Sequence, residues 1–202
     1  TISLVSKELQ KQISNNKNAK DDINLLIEQA GRCSSILKDI AHNKQTDQFI
    51  AKVSPKELIN EIVYSVDNKL NKEINVINKS LNDRIKMNKK TEVSYAIRNF
   101  IENAIKFSKK KIDIEINQNK KNTNILISDD GHGFKDDIIS NLGQPYLKSE
   151  QVNKNKKGMG LGVFISKSLL ERCNAKVYFQ NKKNNSGAMI KIVWVNSQMA
   201  NL

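Results

Sequence analysis

Long apolar runs are missing from these 202 residues, and no stretch approaches the 18 apolar residues that mark a membrane-crossing helix. Cysteine is nearly absent as well. Two thiols, Cys33 and Cys173, make no disulfide framework and fit a reducing compartment. Aromatic residues reach only 5%, and no stacking motif sits inside a basic patch, which argues against single-stranded nucleic-acid readout. Acidic residues are outnumbered by Lys and Arg, 21 to 34, for a formal net charge of +13. Such a charge invites a nucleic-acid reading. Lys, Asn and Ile are inflated together, however, and the lysines are dispersed, so no nucleic acid is expected. The charge still favours acidic partners or an anionic membrane surface nearby. Histidine is scarce too, at His42 and His132 alone.

What is present suits a domain of about 150 residues with an appendage, or two small domains. The opening "TISLVSKELQ" has no initiator Met and no signal peptide, so a fragment that begins partway along a helix is expected. Residues 1–44 read as a helical hairpin. Ile2, Val5 and Leu9 start one stripe. After the polar break "SNNKNAK", Ile23, Leu26, Ala30, Cys33, Leu37 and Ile40 alternate by three and four residues, a heptad seam. A hairpin this short cannot bury the seam alone, so pairing with a second copy as a four-helix bundle is predicted. "HNKQTDQ" marks a linker, centred on 45–48, and residues 49–202 form the second domain.

There the pattern changes to alternating strands and helices. "SPKE" is a capping box: Ser54 as cap, Pro55 at the first helical position, Glu57 three residues on. Its helix carries Leu58, Ile59, Ile62, Val63, Val66 and Leu70 at core spacing. Strands are predicted at 74–81 and 85–88, and Thr91 is placed as the cap of the next helix. "KIDIEINQ" and "NILISDD" alternate as a strand pair. Residues 131–157 are too long for an ordinary loop and suggest a lid. A helix from about Gly160 to Arg172 and the strands "KVYFQN" and "GAMIKIVW" complete an α+β sandwich, with helices on one face of a mixed sheet.

Three segments combine into a candidate site. In "RNFIENAIKFS", Asn99, Asn103 and Lys106 share one helix face. In "DDGHGF", Asp129 ends a strand, and Gly131 and Gly133 permit a tight turn beside a ligand. In "GMGLG", Gly158, Gly160, Leu161 and Gly162 lead into a helix N-terminus, whose free amides attract phosphate. An amide oxygen suits magnesium, Lys106 can neutralise phosphate, and Asp129 can accept from an adenine amine. Taken singly, each segment has a plainer reading: buried amides, a surface turn, a weak glycine signal. Their order and strand–helix contexts favour magnesium and a triphosphate.

"NFIENAIKFS", "DDGHGF" and "KGMGLGVFISKSLLER" resemble the asparagine box and the two glycine boxes of sensor histidine kinases, members of the GHKL ATP-binding superfamily. "LGQPYLKS" is similar to that family's lid, with Tyr146 where many members have Phe. Together with "EQAGRCSSIL" and "SGAMIKIVW" it resembles the redox-responsive RegB/PrrB group most. The resemblance implies ATP and Mg2+ as ligands, with Asn103 on magnesium and Asn99 beside it. It implies Lys106 on phosphate, Phe107 and Tyr146 bordering the nucleotide, and Asp129 on adenine. It also implies a homodimer through the amino-terminal helices, a response-regulator receiver domain as partner, and a cytoplasmic portion attached to an inner-membrane sensor.

Hydrolysing relatives carry a glutamate four residues before the metal-binding asparagine, where this chain has Asn99. Without that general base the site favours transfer to a positioned nucleophile over hydrolysis. The nucleophile should be a hairpin histidine. His132 falls at a variable loop position, and His42 follows the second hairpin helix with no "His-Glu" pair. By the resemblance the acceptor lies just upstream of Thr1, outside this chain, and Cys33 is the redox candidate. Cys173 reads as structural. Two rivals remain on sequence: another GHKL ATPase or protein kinase with a different acceptor, and a non-catalytic dimeric regulatory module.

Overall fold

A computed structural model describes residues 23, 24, 26, 27, 30, 31, 51–80, 85–144, 161–183 and 186–199. The chain divides into two compact units between Phe49 and Ile50. In the first, Ile23, Asn24, Leu26, Ile27, Ala30 and Gly31 are helical, with Ile23 buried and Leu26 exposed. The other members of the predicted seam, Cys33, Leu37 and Ile40, lie outside the described residues, as do His42, Tyr146, Gly158 and Gly160.

The second unit opens with β1 (Lys52–Val53) and α1 (Pro55–Ser65). The predicted capping box is formed: Glu57 N–H donates to Ser54 Oγ at 3.1 Å, and Ser54 N–H donates to Glu57 Oε2 at 2.7 Å. Leu58, Ile59 and Ile62 are buried. The helix stops sooner than the apolar spacing predicts. Val66 is extended, and Asn68 binds both backbone groups of Lys72, at 2.9 and 2.7 Å. A side chain that satisfies the backbone this way competes with helix continuation. Leu70, expected in the core, is 58% exposed.

β2 (Glu73–Asn78) and β3 (Met87–Asn88) are shorter than the strands predicted at 74–81 and 85–88. α2 (Thr91–Phe107) follows, with Lys90 at the cap position and no side-chain cap bond. Thr91 is therefore the first helical residue rather than the cap. The Lys90 N–H turns to the Asn88 carbonyl at 2.9 Å, which bends the chain into the helix one residue earlier.

β4 (Lys111–Gln118), β5 (Asn122–Asp129), α3 (Asp136–Ile139), α4 (Leu161–Arg172), β6 (Ala175–Asn181), β7 (Ala188–Val195) and α5 (Asn196–Met199) complete the described elements. β1 and β3 pair as a small antiparallel sheet, and the main sheet runs β2-β4-β5-β7-β6. Among the described strands only the β2–β4 pair is parallel.

Register explains the core. Ile114 stands beside Ile127 and Ile127 beside Ile190; Ile116, Ile125 and Ile192 make a second row. All six are buried, while Asp113, Glu115 and Lys191 take alternate positions. A one-residue slip would invert that pattern, so burial fixes the pairing. α2 packs on β5, α1 and α4 with seven buried apolar residues, from Val93 to Ile105. The result is the α+β sandwich expected, and among the described residues no helix is long and apolar enough to cross a membrane.

Candidate functional site

The face of α2 opposite its apolar stripe carries Asn99, Asn103 and Lys106, as the spacing predicts. Both asparagines are half-buried; Lys106 is exposed in the last turn, its ammonium 5.5 Å from the Phe107 ring centroid. Asn99 Nδ2 donates to the Gly162 carbonyl at 2.8 Å and to Ser166 Oγ at 2.7 Å. Asn99 Oδ1 accepts from Asn103 Nδ2 at 3.4 Å. Asn99 thus ties α2 to the first turns of α4, and a Cβ on Gly162 would stand 2.9 Å from the Asn99 amide nitrogen. A side chain at that position would have to displace the Asn99 amide. The oxygen of Asn103, on the other prong of its amide, accepts no hydrogen bond among the described residues.

Asp129 closes β5 and is 5% exposed. Its Oδ1 accepts the N–H of Gly131 at 2.7 Å and that of Ala188 at 3.2 Å. Oδ2 accepts none among the described residues, which leaves one oriented carboxylate oxygen for a donor. Gly187 has φ +127 and lies so close to the Asp129 carbonyl that a Cβ could not be accommodated. Beyond Gly131 and exposed His132, Gly133 leads to Phe134, whose N–H and carbonyl both bond the Asn181 amide, at 2.7 and 2.8 Å.

The neighbouring Asp130 faces the other way. Its carboxylate accepts the N–H groups of Lys109 at 2.8 Å and Lys110 at 3.0 and 3.1 Å. Burial works to raise its pKa, but backbone bonds from the 109–111 segment outweigh it and hold the group below its ordinary value. Those bonds fasten the turn carrying Asp129 to the end of α2, where Lys106 and Phe107 sit.

This donor set suits magnesium held together with a triphosphate. Magnesium keeps several waters and needs few protein oxygens when phosphates supply the rest. One unengaged amide oxygen at Asn103, with Asn99 Oδ1 one turn away, meets that need. Among the described residues no cluster of three or more His, Cys, Asp and Glu could hold a metal alone. Glu102 is exposed and about 100° around the helix from Asn103. It stands three residues after Asn99 and four before Lys106, while position 99 itself, four residues before Asn103, carries an amide and not a carboxylate.

Of the predicted residues, the structure brings Asn99, Asn103 and Gly162 together, and separately Asp129 with Gly131. Leu161 opens α4. Sequence reasoning passed over Ser166, Asp130, Gly187 and Asn181. Two signals were available: Ser166 stands one helical turn after Gly162, and Asp130 is the second acid of "DDGHGF".

A buried carboxylate at a strand end and an asparagine-bearing helix tied to a second helix lie together on a mixed sheet of an α+β domain. The chain belongs to the histidine kinase-, DNA gyrase B-, and HSP90-like ATPase family, whose model matches residues 88–198. It is similar to the sensor histidine kinase RegB of Cereibacter sphaeroides, 29% identical over 213 residues, covering 96% of this chain and 46% of that protein. The chain spans about half the length of the RegB relatives it matches. The sensor histidine kinase CssS of Bacillus subtilis is 34% identical over 88 residues, 43% of this chain and 18% of that one. Among solved structures, Acinetobacter baumannii histidine kinase AdeS superposes with a TM-score of 0.62 at 14% identity, covering 96% of this chain and 94% of that one. The mycobacterial sensor histidine kinase MprB gives 0.59 at 18% identity, covering 72% and 97%. At those identities the likeness is one of fold.

Proposed function

We propose that this chain is the catalytic ATP-binding portion of a sensor histidine kinase in a two-component system. Magnesium would be held by the Asn103 oxygen with Asn99 beside it, and would neutralise part of the triphosphate charge. Lys106 faces phosphate, Phe107 and Tyr146 border the nucleotide, and Asp129 Oδ2 accepts from the adenine amine. Gly131 and Gly133 shape one side of the pocket and Gly158, Gly160, Leu161 and Gly162 the other. The γ-phosphoryl leaves ATP as its bond to the β-phosphate oxygen breaks, a bond to an imidazole nitrogen forms, and ADP is released. A receiver-domain aspartate then takes the phosphoryl group. The accepting group would be a hairpin histidine, as in the family this chain resembles, and neither His42 nor His132 has that context. Residues 1–44 pair two copies through the Ile23–Ile40 seam, with Cys33 in that seam as the redox candidate.

The observation that carries this reading is Asn99. Both of its amide hydrogens are committed to α4, and at the position four residues before Asn103 it offers an amide in place of a carboxylate. Such a site positions a triphosphate without activating water. Calorimetric titration with ATP and GTP, with and without magnesium, tests it. ATP is expected to bind, more tightly with magnesium and in preference to GTP. A chain that binds no ATP would overturn the reading.

A further inference from the structure

Ser166 is fully buried where α4 lies against α2, among apolar neighbours that include Leu169 and Leu170. A buried hydroxyl is costly unless it is hydrogen-bonded, so an apolar residue would be cheaper if only space needed filling. Its Oγ accepts Asn99 Nδ2 at 2.7 Å, while the Gly162 carbonyl one turn earlier accepts the other amide hydrogen at 2.8 Å. The Gly162 carbonyl, which can only accept, settles which prong of the Asn99 amide is nitrogen, and the Ser166 hydroxyl holds that nitrogen's second hydrogen. Reversing the amide would press Asn99 Oδ1 against the Gly162 carbonyl oxygen. With the nitrogen held by α4, Oδ1 faces Asn103 and accepts its Nδ2 at 3.4 Å. That bond commits the Asn103 nitrogen and leaves its oxygen with no hydrogen bond among the described residues.

We infer that Ser166 is a positioning residue for the magnesium-bound triphosphate, acting through Asn99 on the orientation of Asn103. The inference rests on the functional reading above and deepens it. Fully buried and bonded to Asn99, Ser166 would reach neither metal nor nucleotide directly. Its effect therefore falls on the part of ATP affinity that magnesium contributes, and not on adenine recognition at Asp129. The geometry also explains why this site takes an amide at position 99. A glutamate there has no hydrogen to offer the Gly162 carbonyl.

The test compares ATP affinity with and without magnesium for the wild-type chain, Ser166→Ala, Asn99→Ala and the double variant. Thermal midpoints of the nucleotide-free proteins are measured alongside. Ser166→Ala is expected to lower the magnesium-dependent gain in affinity roughly three- to tenfold, with magnesium-free affinity within about twofold of wild type, the coupling expected of contacting residues. In the Asn99→Ala background the same substitution is expected to change the magnesium gain no further, because its route is already cut. Should Ser166→Ala not fold, Ser166→Cys, similar in size and a much weaker acceptor, carries the comparison. An unchanged magnesium gain in either Ser166 variant overturns the inference. So does a loss that is equal with and without the metal, which marks a merely structural serine. A wild-type chain that binds ATP with no gain from magnesium removes the magnesium reading itself, and this inference with it.

Discussion

Asp129 at the end of β5 accepts the backbone N–H of Ala188, the first residue of β7, at 3.2 Å through Oδ1. The same oxygen takes the Gly131 N–H, so two amides on separate segments fix one carboxylate prong and leave the other available. Asn in place of Asp129 can keep both of those bonds through its carbonyl oxygen but loses the charge. Asp129→Asn should therefore fold normally and bind ATP roughly tenfold or more weakly, the usual scale for a charged hydrogen bond. Preference for ATP over GTP should shrink in the same variant. Competitive calorimetry checks both, and retained preference would detach Asp129 from adenine.

Gly187 packs on the backbone of the same residue. Its φ of +127 and its contact with the Asp129 carbonyl leave no place for a side chain. Gly187→Ala should lower stability by about 1–3 kcal/mol and weaken ATP binding along with it. Denaturant melts and a titration on the same sample measure the two. A fully stable variant would mean that the β6–β7 turn relaxes without disturbing Asp129.

Asp130 gives a pH signature. Burial tends to raise its pKa, but the 109–111 backbone bonds prevail and hold the folded value below its ordinary 3.8. A depressed folded value means that the unfolded chain binds more protons in this range, so stability is lost as pH falls. Its contribution is complete above about pH 5 and disappears as pH drops through 3.8 toward the folded value. Glu57, lowered first by its backbone bond with Ser54, adds in the same direction. Acid unfolding of Asp130→Asn should show a shallower loss below pH 5 than wild type. Parallel curves would contradict this.

The two thiols should separate chemically. Cys173 is buried, and burial pushes its thiol above its ordinary value despite nearby Lys90. Folded protein treated with an alkylating reagent should keep Cys173 unmodified until it is denatured. If oxidation cross-links the chain, the bond should vanish in Cys33→Ala and survive in Cys173→Ala on non-reducing gels. Cross-linking that depends on Cys173 would remove Cys33 as the redox candidate.

Much of this site was legible because its residues sit at spacings that backbone geometry enforces. Asn99, Asn103 and Lys106 had to share a face once α2 was recognised, and Asp129 had to end β5 once the alternation was followed. What escaped was tertiary. The spacing from Gly162 puts Ser166 on the right side of α4, but it does not name the partner 67 positions away, and nothing marks Gly187 as packed on the Asp129 backbone. Leu70 misled because its spacing continued the core stripe of α1. Asn68, a residue that prefers its own backbone bonds, ended the helix first. Local turn chemistry there prevailed over hydrophobic period.

The central claim is that the asparagine face of α2 binds ATP through magnesium. Titration of ATP into wild type and Asn103→Ala, each with and without magnesium, tests it most directly. The empty variant should melt within about 0.5 kcal/mol of wild type, since Asn103 makes one long bond at a half-exposed position. The account predicts an affinity loss of tenfold or more with magnesium present, and magnesium-free affinity close to wild type. Equal affinity of the two proteins for Mg-ATP would contradict it.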